Sequence, residues 1–153
     1  MKKLFILATM ALCASSLFAQ NDGGLKMALE AGAGTEVELG ARGQYQLNKY
    51  LAWDVLGAKY AYDYNKHGDF NEFTLETGLR GFTPTFGPGI KAFAAIDLGY
   101  GIMWRDGNTS CFAMDFTTGI YVTRNIYMGY GLGLLHKDGG NHKDHLFRIG
   151  FEF

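Results

Sequence analysis

The chain has 153 residues, of which 48% are hydrophobic, and its 14 lysines and arginines nearly balance its 15 acidic residues for a formal net charge of −1. This length suits one domain. Because the chain contains no basic patch or run, the charge balance argues against nucleic acid as a partner.

Residues 1–19 have the parts of a secretory signal peptide. Two lysines supply the positive end, residues 4–12 are almost all apolar, and small residues precede Ala19. We predict cleavage after Ala19, which leaves residues 20–153 as one domain with a net charge near −3, because both lysines leave with the signal. A retained membrane helix is the weaker alternative, because spanning a bilayer takes about 20 apolar residues.

The two cysteines lie on opposite sides of the predicted cleavage site. Cys13 leaves with the signal, so Cys111 stands alone and no internal disulfide is possible. A lipoprotein anchor on Cys13 is a further alternative, but Leu12 is bulky where such an anchor needs a small residue. We therefore favour cleavage after Ala19.

Eight segments of the mature region alternate between apolar and polar residues. In the second segment Val37 and Leu39 alternate with Glu36 and Glu38, a period of two that fits a strand and not an amphipathic helix. The third segment changes phase part-way, which predicts a β-bulge near Gly57. The predicted strands are residues 25–33, 36–47, 51–64, 72–82, 90–103, 110–122, 126–136 and 145–153.

The connections between these strands alternate in character. Short turns, and residues 83–89 with both prolines, fall on the side of the two termini. Mostly polar connections fall on the other side, at residues 34–35, 65–71, 104–109 and 137–144. An even strand count with both ends on one side predicts an all-β, antiparallel up-and-down barrel whose termini face the periplasm.

The final segment indicates which face of the strands meets lipid. Phe147, Ile149, Phe151 and the terminal phenylalanine alternate with Arg148 and Glu152. After an export signal, strands of roughly 9–13 residues with such a face predict a transmembrane barrel with apolar side chains outward. Aromatic residues at both strand ends predict interfacial girdles, which at the end near the termini include Tyr45, Tyr50, Trp53, Phe82, Phe86 and Tyr121.

Charged residues share the opposite face, where we predict a mixed-sign network inside the barrel. Eight strands leave an interior only wide enough for side chains, so we expect the charges to pair and the lumen to be plugged. The alternative is a soluble, lipocalin-like periplasmic barrel that binds an apolar ligand. The predicted lumen network is Lys26, Glu30, Glu38, Arg42, Asp54, Glu76, Arg80, Lys91, Asp97, Asp115, Arg148 and Glu152, with Glu36 beside them.

Several stretches of the chain are similar to one protein family. The signal ending in Ala19-Gln20, the periodic strands, the Asn-Lys-Tyr-Leu-Ala turn at 48–52 and the closing Phe151-Glu152-Phe153 resemble small porin-family barrels. The nearest are the outer membrane protein A-like and X-like barrels, and the resemblance implies an origin in the Bacteroidetes lineage. The resemblance implies a barrel among the lipids of a Gram-negative outer membrane, inserted by the barrel-assembly machinery. Phe151 and Phe153 match the assembly signal of such proteins.

Histidines and acids in the polar connections are candidate metal ligands. Their spacing matches no zinc motif, so we interpret these connections as solvated surface loops and predict no metal and no cofactor. The candidates in and beside residues 137–144 are His136, Asp138, His142, Asp144 and His145, and those in the second polar connection are His67 and Asp69.

Ser110, the one serine of the mature chain, and His136 are weak candidates for a catalytic pair. They stand at the tops of neighbouring strands with Asp106 or Asp138 near, as a lipid A-modifying enzyme requires. Polar residues occur at strand ends regardless, so a monomeric, non-enzymatic barrel with a structural or surface-interaction role is favoured. No particular extracellular ligand is indicated, and Cys111 is expected to fill space.

Overall fold

The computed structural model describes residues 24–63, 70–87, 89–104, 108–137 and 140–153, so the predicted signal peptide lies outside the described residues. The predicted all-β, antiparallel up-and-down barrel of eight strands is confirmed. Within the described ranges no helix is long and apolar enough to cross a membrane. The strands are β1 (Leu25–Gly34), β2 (Glu36–Asn48), β3 (Leu51–Asp63), β4 (Phe70–Phe82), β5 (Lys91–Trp104), β6 (Asn108–Tyr121), β7 (Ile126–Lys137) and β8 (Gly140–Glu152).

The barrel closes because β1 pairs with β8 as well as with β2. Ala28 lies opposite Glu152 on one side and opposite Arg42 on the other. Two backbone hydrogen bonds between Met27 and Phe153, of 3.0 and 2.8 Å, continue this seam to the last residue. Every described strand therefore has a neighbour on both sides, and the sheet satisfies its own backbone donors and acceptors.

Several of the predicted connections are shorter in the structure, most clearly those before β8 and before β6. Lys137 pairs with Gly140, so β7 and β8 extend through most of residues 137–144, and the surface loop predicted there is wrong. Strand β6 likewise begins at Asn108, which pairs with Trp104. Ladder hydrogen bonds join backbone groups, so polar residues extend a hairpin as readily as apolar residues once the register is set.

A β-bulge interrupts β3 close to Gly57, where the sequence predicts one. The register with β2 passes from Leu56 directly to Asp54, so Val55 is the extra residue. The register with β4 shifts at the same place. Inward positions on β3 therefore change from even to odd numbers, and Lys59 turns toward the interior.

The two faces of the sheet have opposite polarity. Large apolar side chains point outward, and Phe147, Ile149 and Phe151 are 52%, 51% and 49% exposed. Charged side chains point inward, and Arg80 and Arg148 are 1% and 2% exposed. A water-soluble barrel buries its apolar face, so this inverted polarity argues against an apolar ligand inside the barrel.

Apolar side chains are also buried at both ends of the interior. The end that carries the short turns holds Ala28, Ala52, Phe82, Phe93, Tyr121 and Tyr127. The opposite end holds Met103, Cys111, Ala113 and Leu135. The prediction that Phe82 and Tyr121 belong to an outward girdle is wrong, because their positions on β4 and β6 have the inward parity and the side chains are 8% and 0% exposed.

Candidate functional site in the barrel interior

The barrel interior brings together the residues predicted to form the lumen network. Lys26 and Lys91 are half-buried at the end that carries the short turns. All twelve residues belong to strands, so the rigid sheet positions their side chains. The ten that are buried are Glu30, Glu38, Arg42, Asp54, Glu76, Arg80, Asp97, Asp115, Arg148 and Glu152.

One network, called the inner network because it lies toward the end that carries the short turns, surrounds Arg42 and Arg80. Arg42 forms an ion pair with Glu30, and the Tyr127 hydroxyl donates a hydrogen bond to the same carboxylate. The Arg42 guanidinium also donates to the Tyr127 hydroxyl oxygen at 2.9 Å. Asp54 lies between the two arginines, with oxygens 3.4 Å from Nε of Arg42 and 3.3 Å from Nε of Arg80. Each arginine thus has a carboxylate beside it, as a buried charge requires.

A second network surrounds Arg148 in the interior. It lies toward the end of the barrel away from the termini and is called the outer network. The Arg148 guanidinium donates two hydrogen bonds to Glu38, of 2.9 and 2.8 Å, and two to Asp115, of 2.7 and 2.5 Å. Lys59 Nζ lies 2.6 Å from Glu76 and 3.0 Å from Asp115. Paired bonds from one guanidinium to a carboxylate fix the direction as well as the distance of the contact. The outer network therefore joins β2, β3, β4, β6 and β8.

Several members of these networks are missing from the predicted set. Lys59 is absent from that set, although the predicted bulge near Gly57 gives it inward parity. Gln44 is buried and donates to Asp54 at 2.8 Å. Glu72 and Asp144, which stand at or beyond the predicted strand ends, are 6% and 3% exposed. Both acids would be predicted as inward-facing if the alternation of each strand were continued past its predicted end.

Aromatic side chains fill the interior at the end that carries the short turns. The rings of Phe93 and Tyr121 pack edge to face with centroids 5.5 Å apart. Lys91 Nζ lies 4.2 Å from the centre of the Phe82 ring and 4.3 Å from that of Tyr121, within cation–π range. The Tyr121 hydroxyl donates to Glu152 at 2.7 Å. Side chains thus occupy the barrel cross-section at this end.

Described residues of the charged interior line two small cavities. The outer cavity, of about 20 Å³, is lined in part by Glu36, Glu72 and Arg148. The inner cavity, of about 10 Å³, is lined in part by Glu30 and Asp97. Each has room for about one water molecule or a small ion.

The structure does not join the two weak catalytic candidates. Ser110 and His136 are both exposed on the outer face of the barrel. His136 Nδ1 is hydrogen-bonded to Asn141 Oδ1 at 2.6 Å. Cys111 is buried at the outer end of the interior and packs among apolar side chains. The described side chains therefore show no hydrogen bond between Ser110 and His136.

The two histidines of β8 face opposite sides of the sheet. His145 points outward, with Nδ1 2.7 Å from the Tyr130 hydroxyl. His142 points inward, with Nε2 2.6 Å from Asp144 Oδ1. Ligand atoms of Glu36, His142 and Asp144 lie within 4.8 Å of one another. The predicted site residues that lie outside the described residues are His67, Asp69, Asp106 and Asp138.

A closed up-and-down barrel with an apolar exterior and a charged interior has the architecture of the small outer-membrane barrels. Neisserial surface protein A matches with a TM-score of 0.64 and 14% identity, over 84% of this chain and 92% of its own. The outer membrane enzyme PagL matches with 0.55 and 14%, over 84% and 97%. The Yersinia pestis outer membrane protein Ail matches with 0.53 and 10%, over 86% and 100%. No family model and no curated protein matches the chain.

Proposed function

We propose that the chain is an integral outer-membrane β-barrel protein of a Gram-negative bacterium, with a structural or surface-interaction role. The observation that carries this proposal is the polarity of the sheet, whose exposed face is apolar and whose buried face is charged. A large apolar exterior favours association or aggregation in water, whereas lipid chains cover it at no such cost.

Strand length supports the same proposal. The strands range from 10 residues in β1 to 14 in β5 and β6. A tilted strand crosses the hydrocarbon layer in about 9–11 residues, so each strand is long enough to span the membrane.

The proposed barrel is plugged and not an open pore. Eight strands enclose a space that side chains can fill. Support comes from the aromatic cluster around Tyr121, from the ion pairs of Arg42, Arg80 and Arg148, and from the small volume of the two cavities.

Export and assembly complete the proposal. Residues 1–19 direct secretion and are cleaved after Ala19, and residues 20–153 enter the membrane as one monomeric domain. The barrel-assembly machinery then recognises Phe151 and Phe153 at the end of β8. The sequence resemblance supports a place among the outer membrane protein A-like and X-like barrels of the Bacteroidetes lineage.

The proposed role is not enzymatic, and the chain needs no cofactor for it. PagL has a similar fold and is an enzyme, so the fold itself is compatible with catalysis. The side-chain arrangement supports a non-catalytic role, because the ring of His136 is hydrogen-bonded to Asn141 and not to Ser110.

Lysine substitutions at two outward positions test whether lipid covers the exterior. Leu98 lies mid-way along β5, whereas Val122 follows the end of β6, and the two side chains are similarly exposed, at 42% and 38%. In a bilayer we expect Leu98→Lys to lower the free energy of unfolding by about 2–4 kcal/mol and Val122→Lys by about 0–1 kcal/mol. The measurement is urea unfolding of the refolded barrel in lipid vesicles.

Cell fractionation tests the same proposal in the bacterium. The wild-type protein should be found in the outer-membrane fraction and should migrate differently in gels before and after heating. Recovery in the soluble periplasmic fraction, together with equal and small effects of the two lysines, would contradict the proposal.

A further inference from the structure

Acidic groups are in excess in the outer half of the barrel interior. In the half near the termini, the four cations Lys26, Arg42, Arg80 and Lys91 face the four acids Glu30, Asp54, Asp97 and Glu152. Around the outer cavity, by contrast, the described residues include only two cations, Lys59 and Arg148. The acids that line this cavity are Glu36, Glu38, Glu72, Glu76, Asp115 and Asp144. Buried charges of one sign are costly without a counter-charge.

Two of these acids have a buried oxygen without a partner. Glu36 and Glu72 are 3% and 6% exposed, and in the described part of the chain Oε2 of each makes no hydrogen bond. The cations of the outer network already contact other acids, since Arg148 contacts Glu38 and Asp115 and Lys59 contacts Glu76 and Asp115. A buried carboxylate oxygen with no donor or cation beside it loses its hydration without compensation.

We propose that Glu36, His142 and Asp144 bind one divalent transition-metal ion at the outer mouth of the barrel. One imidazole nitrogen and two carboxylate oxygens lie within 4.8 Å of one another. Ligands about 2 Å from a common ion lie within about 4 Å of each other, so small side-chain rotations bring these three atoms to bonding distance. The imidazole favours a transition metal such as Zn²⁺ over Mg²⁺ or Ca²⁺, which prefer oxygen ligands alone.

The position of these residues gives the ion a route in and a structural effect. The His142 side chain is 28% exposed while that of Asp144 is 4% exposed, so the site opens outward past the imidazole. Glu36 begins β2, and the other two ligands lie on β8, on the far side of the end of β1. A bound ion therefore links β2 to β8 across the rim. This proposal does not depend on the proposed structural or surface role.

Titration of Zn²⁺ into the metal-stripped, refolded barrel tests the site by calorimetry. We expect one ion per chain, with binding weakened by about tenfold or more in Glu36→Gln and in His142→Gln. His145→Gln is the matched control, because His145 lies on the same strand but faces outward. Its affinity should equal that of the wild type, and Mg²⁺ should not compete at equal concentration.

Three outcomes overturn the proposal. They are no saturable Zn²⁺ uptake by the wild-type barrel, unchanged affinity in both inward variants, and loss of binding in His145→Gln. Heat-modifiable migration identifies any variant that fails to fold. X-ray absorption of the Zn²⁺-loaded wild-type barrel then tests the site without any variant. It should show one imidazole among oxygen ligands and no sulfur, and two or more imidazoles would refute the assignment.

Discussion

At the scale of single residues, Arg148 shows how much the interior depends on small neighbours. Its guanidinium meets two carboxylates, and glycines lie beside it on the adjacent strands. A Cβ at Gly131 would lie 2.5 Å from Nη1 of this arginine, and one at Gly32 would lie 3.3 Å from Cγ. The space for a buried arginine therefore comes from the absence of two side chains.

Removal of the Arg148 charge should destabilise the barrel strongly. Arg148→Met leaves Glu38 without its guanidinium partner and leaves Asp115 with the Lys59 ion pair and the Thr117 hydroxyl, and breaking a buried ion pair costs about 3–5 kcal/mol. The matched control is Arg124→Met in an exposed turn, where the change should stay within about 0.5 kcal/mol. Urea unfolding followed by tryptophan fluorescence measures both. Equal midpoints for the two variants would show that the Arg148 network contributes nothing to stability.

At the scale of elements, β8 is held by close packing as well as by its two ladders. Tyr127 on β7 lies over Gly150 on β8, and a Cβ added there would lie 2.0 Å from Cζ of the ring. The ring cannot retreat easily, because it packs against Phe93 at 5.5 Å and its hydroxyl joins the Arg42 ion pair. The register of β7 against β8 thus requires glycine at this position.

A methyl group at Gly150 should therefore weaken the barrel. Overpacking of this kind costs about 1–3 kcal/mol, so Gly150→Ala should lower the unfolding midpoint clearly. The control is Gly43→Ala, where the nearest described atom lies 3.6 Å from the new Cβ and no strong effect is expected. A Gly150→Ala barrel as stable as the control would mean that the Tyr127 ring moves aside at no cost.

At the scale of the whole molecule, the two interior networks and the aromatic cluster together fill the proposed lumen. Both cavities have room for about one water molecule. The proposed plugged lumen implies that such small spaces give an ion no continuous hydrated path.

Planar-bilayer recordings should therefore detect no large steady current from the purified barrel. The positive control is a porin of about 16 strands, whose wider barrel holds an aqueous channel. Steady conductance of comparable size from this protein would contradict the plugged lumen and would require the interior side chains to rearrange in the membrane.

Local alternation was enough to predict the strand number and the face of most residues. Parity is a property of neighbouring positions, so Arg42, Arg80 and Arg148 could be placed inside from the sequence alone. The inward parity of Lys59 also follows from the sequence once the predicted bulge near Gly57 is applied, because a single extra residue reverses the parity after it.

The rest of the site depends on pairing between distant strands. The sequence predicts His142 and Asp144 as loop residues, whereas the β7–β8 ladder continues through both and places them in a strand. Their approach to Glu36, more than a hundred residues earlier in the chain, follows from barrel closure and from no local pattern. Phe82 differs from its prediction for another reason, because its aromatic ring suggests an interfacial girdle whereas its inward parity places the side chain in the interior.

The contacts of Arg148 also constrain how the barrel can assemble in a membrane. Its partners Glu38 and Asp115 lie 110 and 33 residues away along the chain, on β2 and β6. No single hairpin contains both Arg148 and one of these two carboxylates. A hairpin that entered the hydrocarbon layer alone would therefore expose unpaired charges to lipid. Insertion of such a barrel must be concerted, with the nascent sheet kept hydrated on its inner side until the first and last strands meet.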